Sequence, residues 1–359
     1  MILLNPGPVT LSAHVRAALA GPDLCHREPE FAALQGRIRQ ALLDVYALSP
    51  ADWATVLLTG SGTAAVEAML TSLVPTDGHL LVIENGVYGE RMTDIARRHG
   101  IRHSRLTHAW LEAPAPSALE AALAGTPGVT HVAVVHHETT SGRLNNLSEL
   151  AACCTRHGAE LLIDGVSSFG AEEIDFERWP VAGVAATANK CLHGVPGTCF
   201  VMTRRESLAR GAREPRTVYL DLHAYLRNQD AHGTPFTQSV QTFYALDAAL
   251  DELRAEGGWR MRRQAYRARI GQVRDHLVDL GVAPLLPDEE TSCVLHAFRI
   301  PEGLGYPGLH DVLKADGFII YAGQSTLAQQ IFRISTMGDI TAEDLTRLRT
   351  SLTRALSRR

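Results

Sequence analysis

The sequence predicts an α/β protein with a large domain built on a mostly parallel central sheet, followed by a small α+β C-terminal domain. Two patterns carry that expectation. From about residue 40 to 205, short apolar or β-branched runs alternate with stretches of helical period, as in βαβ units whose sheet is buried on both faces. After Pro284 the order changes to short strand-like runs around two helices. A chain of 359 residues, 45% apolar and 20% charged, can bury two or three ordinary cores.

Taken in order, the runs 55–58, 80–83, 131–135 and 161–164 read as strands, and 64–73, 91–99 and 147–157 as the helices between them. From 239 to 280, Val240, Phe243, Tyr244, Leu246, Ala249, Leu250 and Leu253 keep helical spacing. The spacing resumes after Gly257-Gly258 at Met261, Ala265, Ile270, Val273 and Leu277. Arg260, Arg262, Arg263, Arg267 and Arg269 are expected on a solvated face of that second helix. Strands follow at 293–298, 318–321 and 331–334, with a helix near 308–314. The closing helix starts at Thr341, with Asp344 three residues on, in the pattern of a capping box. The expected division is 16–255 for the large domain, and 256–359 together with the N-terminal segment 1–15 for the small one.

Composition excludes several classes of function. The 34 basic and 39 acidic residues give a net charge of -5, and no dense basic stripe offers a nucleic-acid footprint. No run approaches the ~18 apolar residues of a membrane span. Six cysteines without a CxxC spacing read as reduced thiols, and no basic, apolar leader opens the chain; a cytoplasmic protein is expected. His136 and His137 are adjacent on a strand-like run and point to opposite faces, so no metal site is expected there. Of the 34 basic residues only Lys190 and Lys314 are lysines, so chemistry that needs an amine has two candidates.

Three motifs point to chemistry. Gly60-Ser61-Gly62-Thr63-Ala64-Ala65 joins a strand to a helix, where free N–H groups and two hydroxyls can cradle a phosphate. The same residues fit a G-x-G-x-x-A dinucleotide fingerprint, with Glu84 near the distance of a ribose-binding acid, so an NAD-binding Rossmann oxidoreductase stays open at this point. A glycine turn with a capping serine is the plainer alternative. Asp164 ends a strand, where α/β proteins bind ligands, and can serve a ribose, a metal or a protonated ring nitrogen. Lys190 lies in Asn189-Lys-Cys-Leu-His-Gly-Val-Pro-Gly197, an unusual setting for a surface lysine, and an amine there can condense with a carbonyl.

A phosphate cradle, a strand-end aspartate and then a lysine occur in that order, and the chain resembles the class V aminotransferases, fold type I pyridoxal-phosphate (PLP) enzymes. Further blocks carry the resemblance from end to end: Leu3-Leu-Asn-Pro-Gly-Pro-Val-Thr10, Cys25-His-Arg-Glu-Pro-Glu-Phe31, Asn85-Gly-Val-Tyr-Gly-Glu-Arg-Met92, His137-Glu-Thr-Thr-Ser-Gly142, Ser167-Ser-Phe-Gly170, Leu220-Asp-Leu222, and Phe332-Arg-Ile334 before Gly338. The resemblance implies that Ser61, Gly62 and Thr63 hold the phosphate of pyridoxal 5'-phosphate, that Tyr88 stacks on its ring and that Thr139 lies near its phenolic oxygen. It further implies that Asp164 pairs with the ring nitrogen, Lys190 carries the cofactor and Arg333 clamps an anionic substrate. Thr237 is implied to reach the phosphate of a neighbouring subunit in a homodimer with shared active sites.

The implied substrates are a small-molecule amine and a keto acid. Within the family the match favours 2-aminoethylphosphonate, or a related aminophosphonate, as donor and pyruvate as acceptor, giving phosphonoacetaldehyde and alanine. The alanine- or serine-to-glyoxylate branch is the alternative. Thr234-Pro235 and Ser239-Val240 depart from the family pattern on either side of Phe236-Thr237.

Overall fold

The computed structural model describes residues 1–357. Its main sheet has seven strands, here β1 (Trp53–Gly60), β2 (Leu80–Glu84), β3 (His103–Thr107), β4 (His131–Val135), β5 (Glu160–Asp164), β6 (Val181–Thr187) and β7 (Gly197–Arg204). Their spatial order is β1-β7-β6-β5-β4-β2-β3. All neighbours are parallel except β7, which is antiparallel to both β1 and β6.

Alternate residues of each strand enter two different cores, as a sheet covered on both faces requires. Leu57, Leu81, Ile83, Val132, Val134, Leu161 and Ile163 belong to one. Val56, Leu58, Leu80, Val82, Ala133, Val135 and Leu162 belong to the other. The helices Gly62–Leu73 and Leu147–His157 form where expected, and Val87–Arg98 starts four residues earlier than its apolar pattern suggests.

A third core gathers Leu4 with Ile270, Val273 and Leu277, Phe298, Leu313, Phe332, Ile334, and Leu348 and Leu352 of the closing helix. Its sheet joins Leu295–Arg299, Ile331–Ser335 and Tyr321–Ala322, while Ile2–Leu3 runs parallel to Phe318–Ile319. The expected strand 318–321 is thus two short pieces in different sheets. Cys293 lies in a buried turn just ahead of its strand. Thr341 caps Ala342–Leu356 by accepting from Asp344 N, and the Asp344 carboxylate accepts from Thr341 N, so the capping box is present.

The helix Trp259–Asp279 leaves Arg260 and Arg267 exposed, as expected, and Arg263 and Arg269 half-buried, but it takes Arg262 inside. Its buried line is Trp259, Arg262, Tyr266, Ile270, Val273 and Leu277, whereas Met261 is 49% exposed. Arg262 is buried because its guanidinium has partners: Nη1 donates to Cys191 O at 2.8 Å and Nε to Glu256 Oε2 at 2.9 Å. A charge can sit in a core when it is paired and hydrogen-bonded. Arg263 likewise forms an ion pair with buried Glu172 at 3.1 Å.

Candidate active site

The strand ends build the site. β5 terminates at Asp164, and the turn after it is closed by Val166 N donating to Asp164 Oδ1 (3.0 Å) and Ser168 N to Gly165 O (3.0 Å). β6 terminates at Thr187, after which the chain turns through Asn189 and Lys190 and returns as β7. Lys190 Nζ donates to Ser167 Oγ at 2.8 Å and lies 5.9 Å from the centroid of the Tyr88 ring. Gly7 packs on the lysine stem: a Cβ there would stand 3.0 Å from Lys190 Cγ, and its φ of +125° is one a side chain rarely adopts.

Six of the nine residues singled out in the sequence line one cavity of about 380 Å³: Ser61, Gly62, Thr63, Tyr88, Lys190 and Arg333. Gly62 opens the helix that follows β1, with Ser61 as its N-cap residue. Asp164 and Thr139 are buried and do not line the cavity, but each bonds a residue that does, Asp164 accepting from Val166 N and Thr139 O from Arg333. Burial raises the Asp164 carboxyl above the usual carboxylate range, offset in part by the Val166 N–H and the charges of Lys190 and Arg91. Arg333 is tied in place: Nε and Nη2 donate to Ala322 O and Nη1 to Thr139 O, leaving one hydrogen each on Nη1 and Nη2. Thr237 lies on the surface outside the cavity.

The structure also brings in residues to which the sequence reading gave no role. Glu138 accepts from Tyr88 N at 3.2 Å with one oxygen and from Thr140 N (3.1 Å) and Oγ1 (2.6 Å) with the other. Arg91 stands at the mouth, 4.8 Å from the Tyr88 ring centroid and 3.3 Å from Thr63 Oγ1. Glu138 and Arg91 each fall inside a conspicuous sequence block, but each also binds a residue of another segment, Tyr88 for Glu138 and Thr63 for Arg91. His136 and His137 are buried and held neutral, their pKa values pushed by burial to about 4 and about 3. Among the described residues no cluster of metal-ligating side chains occurs.

The dinucleotide reading is overturned by this geometry. The strand carrying Gly60 is at the sheet edge and pairs only with antiparallel β7, whereas the fingerprint belongs to a strand of the parallel sheet. Glu84 is buried and accepts from the hydroxyls of Thr93 and Thr107, so it is not available to a ribose.

The profile of the family described as aminotransferase class-V matches residues 26–348. The chain belongs to the class V aminotransferases. It is 41% identical over 348 residues to a protein of Aeromonas hydrophila named 2-aminoethylphosphonate--pyruvate transaminase, a match covering 95% of this chain and 91% of that one. A protein of the same name from Syntrophobacter fumaroxidans is 37% identical, covering 97% and 94%. Among solved structures, an aspartate aminotransferase of Thermus thermophilus superposes with a TM-score of 0.90 at 27% identity, covering 100% of this chain and 99% of that one. A pyridoxamine-pyruvate aminotransferase of Mesorhizobium loti gives 0.91 at 26%, covering 100% and 92%. As a class V aminotransferase, the protein is a PLP-dependent enzyme of fold type I, in agreement with its mostly parallel sheet.

The residues present suit that cofactor. Thr139 Oγ1 is buried without a hydrogen-bond partner among the described residues, as a hydroxyl meant for a ligand oxygen would be. The buried Asp164 carboxyl, lifted by desolvation, is the kind of group a cationic ring nitrogen would satisfy.

Proposed function

We propose that the protein transfers the amino group of 2-aminoethylphosphonate, or a closely related aminophosphonate, to pyruvate, releasing phosphonoacetaldehyde and alanine. The observation that carries the substrate assignment is identity over nearly the whole chain with relatives of that name. A guanidinium such as Arg333 favours an anion but takes a carboxylate as readily as a phosphonate.

When bound, PLP supplies a carbonyl that takes up the amino group and a cationic ring that draws electrons from the substrate carbon. The backbone N–H groups of Gly62 and Thr63, with the hydroxyls of Ser61 and Thr63, would hold the phosphate at the helix start. Tyr88 would cover the ring, Thr139 Oγ1 would donate to the phenolic oxygen, and Asp164 would keep the ring nitrogen protonated. Lys190 Nζ would hold the cofactor, and the same amine, when free, would take up the proton lost from the amine-bearing carbon and then give it back to complete the transfer. Arg333 turns its two remaining N–H groups to the substrate anion.

The active unit in this reading is a homodimer in which the partner subunit lends its own copy of Thr237 to each phosphate site. In this reading residues 16–255 are the cofactor domain and 1–15 with 256–359 the small domain, of which 358 and 359 lie outside the described residues. The six cysteines, none in a disulfide, support a cytoplasmic setting.

Two measurements test the reading. Borohydride treatment of the yellow holoprotein should fix the pyridoxyl group on Lys190 and leave Lys314 unmodified, as read by peptide mass spectrometry. The kcat/KM for 2-aminoethylphosphonate with pyruvate should exceed those for alanine or serine with glyoxylate. If either of the latter wins by more than about tenfold, roughly 1.4 kcal/mol in the barrier, the glyoxylate branch replaces the phosphonate one.

A further inference from the structure

Lys190 has a partner that its motif does not foretell. The amine donates to Ser167 Oγ at 2.8 Å, and Ser167 is 6% exposed. The backbone of Ser167 is fixed, because its carbonyl accepts from His137 Nδ1 at 3.1 Å and from Cys191 Sγ at 3.4 Å. It sits in the tight turn that leaves β5, three residues after Asp164, so one turn presents both the ring-nitrogen acid and the contact for the lysine amine. Between Cγ and Cε the backbone of Gly7 confines the stem. A long, flexible amine is therefore held along its stem and at its tip.

We propose that Ser167 is the positioning residue for the free form of Lys190: its hydroxyl accepts one N–H of the amine and keeps the nitrogen at the cavity wall whenever the lysine is not joined to cofactor. The proposal rests on the aminotransferase reading for its role in turnover, but its physical content is a contact in the protein itself. An amine displaced by substrate needs a fixed station from which to reach the substrate carbon, since proton transfer demands hydrogen-bond reach and alignment. Without the hydroxyl the same amine samples the cavity, and fewer of its positions are productive.

The scarcity of lysine makes the test clean. In cofactor-free, full-length protein, acetic anhydride labels Lys190 and Lys314, and the exposed Lys314 serves as internal reference. Ser167→Ala removes one atom, and melting temperature verifies that it folds. The ratio of Lys190 to Lys314 labelling should rise about fivefold, the worth of one hydrogen bond. In the reconstituted holoenzyme kcat should fall about tenfold, with the KM for the amine donor changing less than about twofold, since positioning acts after binding. A folded Ser167→Ala protein whose labelling ratio matches wild type overturns the proposal, and so does a rise in KM with kcat unchanged. Borohydride fixation at Lys190 is read separately, so failure of the cofactor reading is distinguishable from failure of this one.

Discussion

Glu138 shows how one side chain can serve several parts of the site. Its two oxygens receive N–H groups from Tyr88 and Thr140, and Arg333 is tied to the carbonyl of Thr139 between them. The carboxyl has no solvent exposure, and burial, with Asp164 adding like charge, pushes its pKa up to about 7. A carboxyl raised in the fold binds a proton that the unfolded chain has already lost, so its ionisation costs stability as pH rises from about 4.5 through about 7. The cost is on the order of 3 kcal/mol. The buried neutral histidines act oppositely, losing stability as pH falls below their unfolded value of 6.5. Comparison with a variant isolates the Glu138 part: the melting temperature of Glu138→Gln minus that of wild type should increase between pH 5 and pH 8. A flat difference would show that Glu138 does not titrate in that window. At the same scale, Asp164→Asn should lower kcat by about 10²–10³, as expected when a charge facing the reacting system is lost; near-normal turnover would place the ring-nitrogen partner elsewhere. Asp164 and Lys190 could be singled out in the sequence because each stands in a distinctive local motif. Glu138 and Ser167 could not, since their roles depend on partners about 50 and 23 residues away in sequence.

At the scale of elements, the strands with β-branched or leucine-rich runs were legible, and so were the helices between them. β6 was not, because Val-Ala-Gly-Val-Ala-Ala-Thr carries little β-propensity and is a strand only because β5 and β7 flank it. β3, His-Ser-Arg-Leu-Thr, is weak in the same way, whereas β7 holds the apolar run Cys199-Phe-Val-Met202, which the reading of the sequence passed over. The helix Trp259–Asp279 misled for a different reason: hydropathy assigns arginine to solvent, while here carbonyl and carboxylate partners draw one arginine inside. Arg262→Ala should accordingly destabilise the protein by about 3 kcal/mol, since it empties a fully buried position and strands the buried Cys191 carbonyl, whereas the exposed Glu256 carboxylate returns to water. Chemical denaturation measures this, and a loss below about 1 kcal/mol would mean that the site is wetter than its burial indicates. Thr341→Ala should cost about 1 kcal/mol through the lost cap, with Thr341→Ser close to neutral.

For the molecule as a whole, the question is how far one chain completes its own site. Glu172, in the segment after β5, reaches across to the third core's side: its Oε1 accepts from Ser292 Oγ (2.7 Å) and Cys293 N (2.9 Å), while Oε2 pairs with Arg263. The two proposed domains are thus joined by buried polar contacts as well as by chain. What the single chain leaves open is the surface beside Phe236. Val218 is 82% exposed and Tyr219 40% exposed; Tyr219 packs on Phe236 at 5.2 Å and donates to Thr59 O next to the cavity-lining Gly60. Exposed Thr237 adjoins them. Apolar side chains beside an otherwise polar mouth suit a two-fold contact in which each subunit faces the other's cavity. Lys190→Ala and Thr237→Glu should then each be inactive alone, the first for want of the amine and the second because a carboxylate would meet the phosphate. Mixed and re-annealed, they should recover activity, because half of the random dimers contain one site with both intact residues, giving about a quarter of the wild-type rate. Val218→Glu should shift sedimentation towards monomer and lower activity with it. A wild-type protein that sediments as a fully active monomer, or mixtures that stay dead although hybrids form, would remove Thr237 from the phosphate site and leave the cavity to be completed by this chain alone.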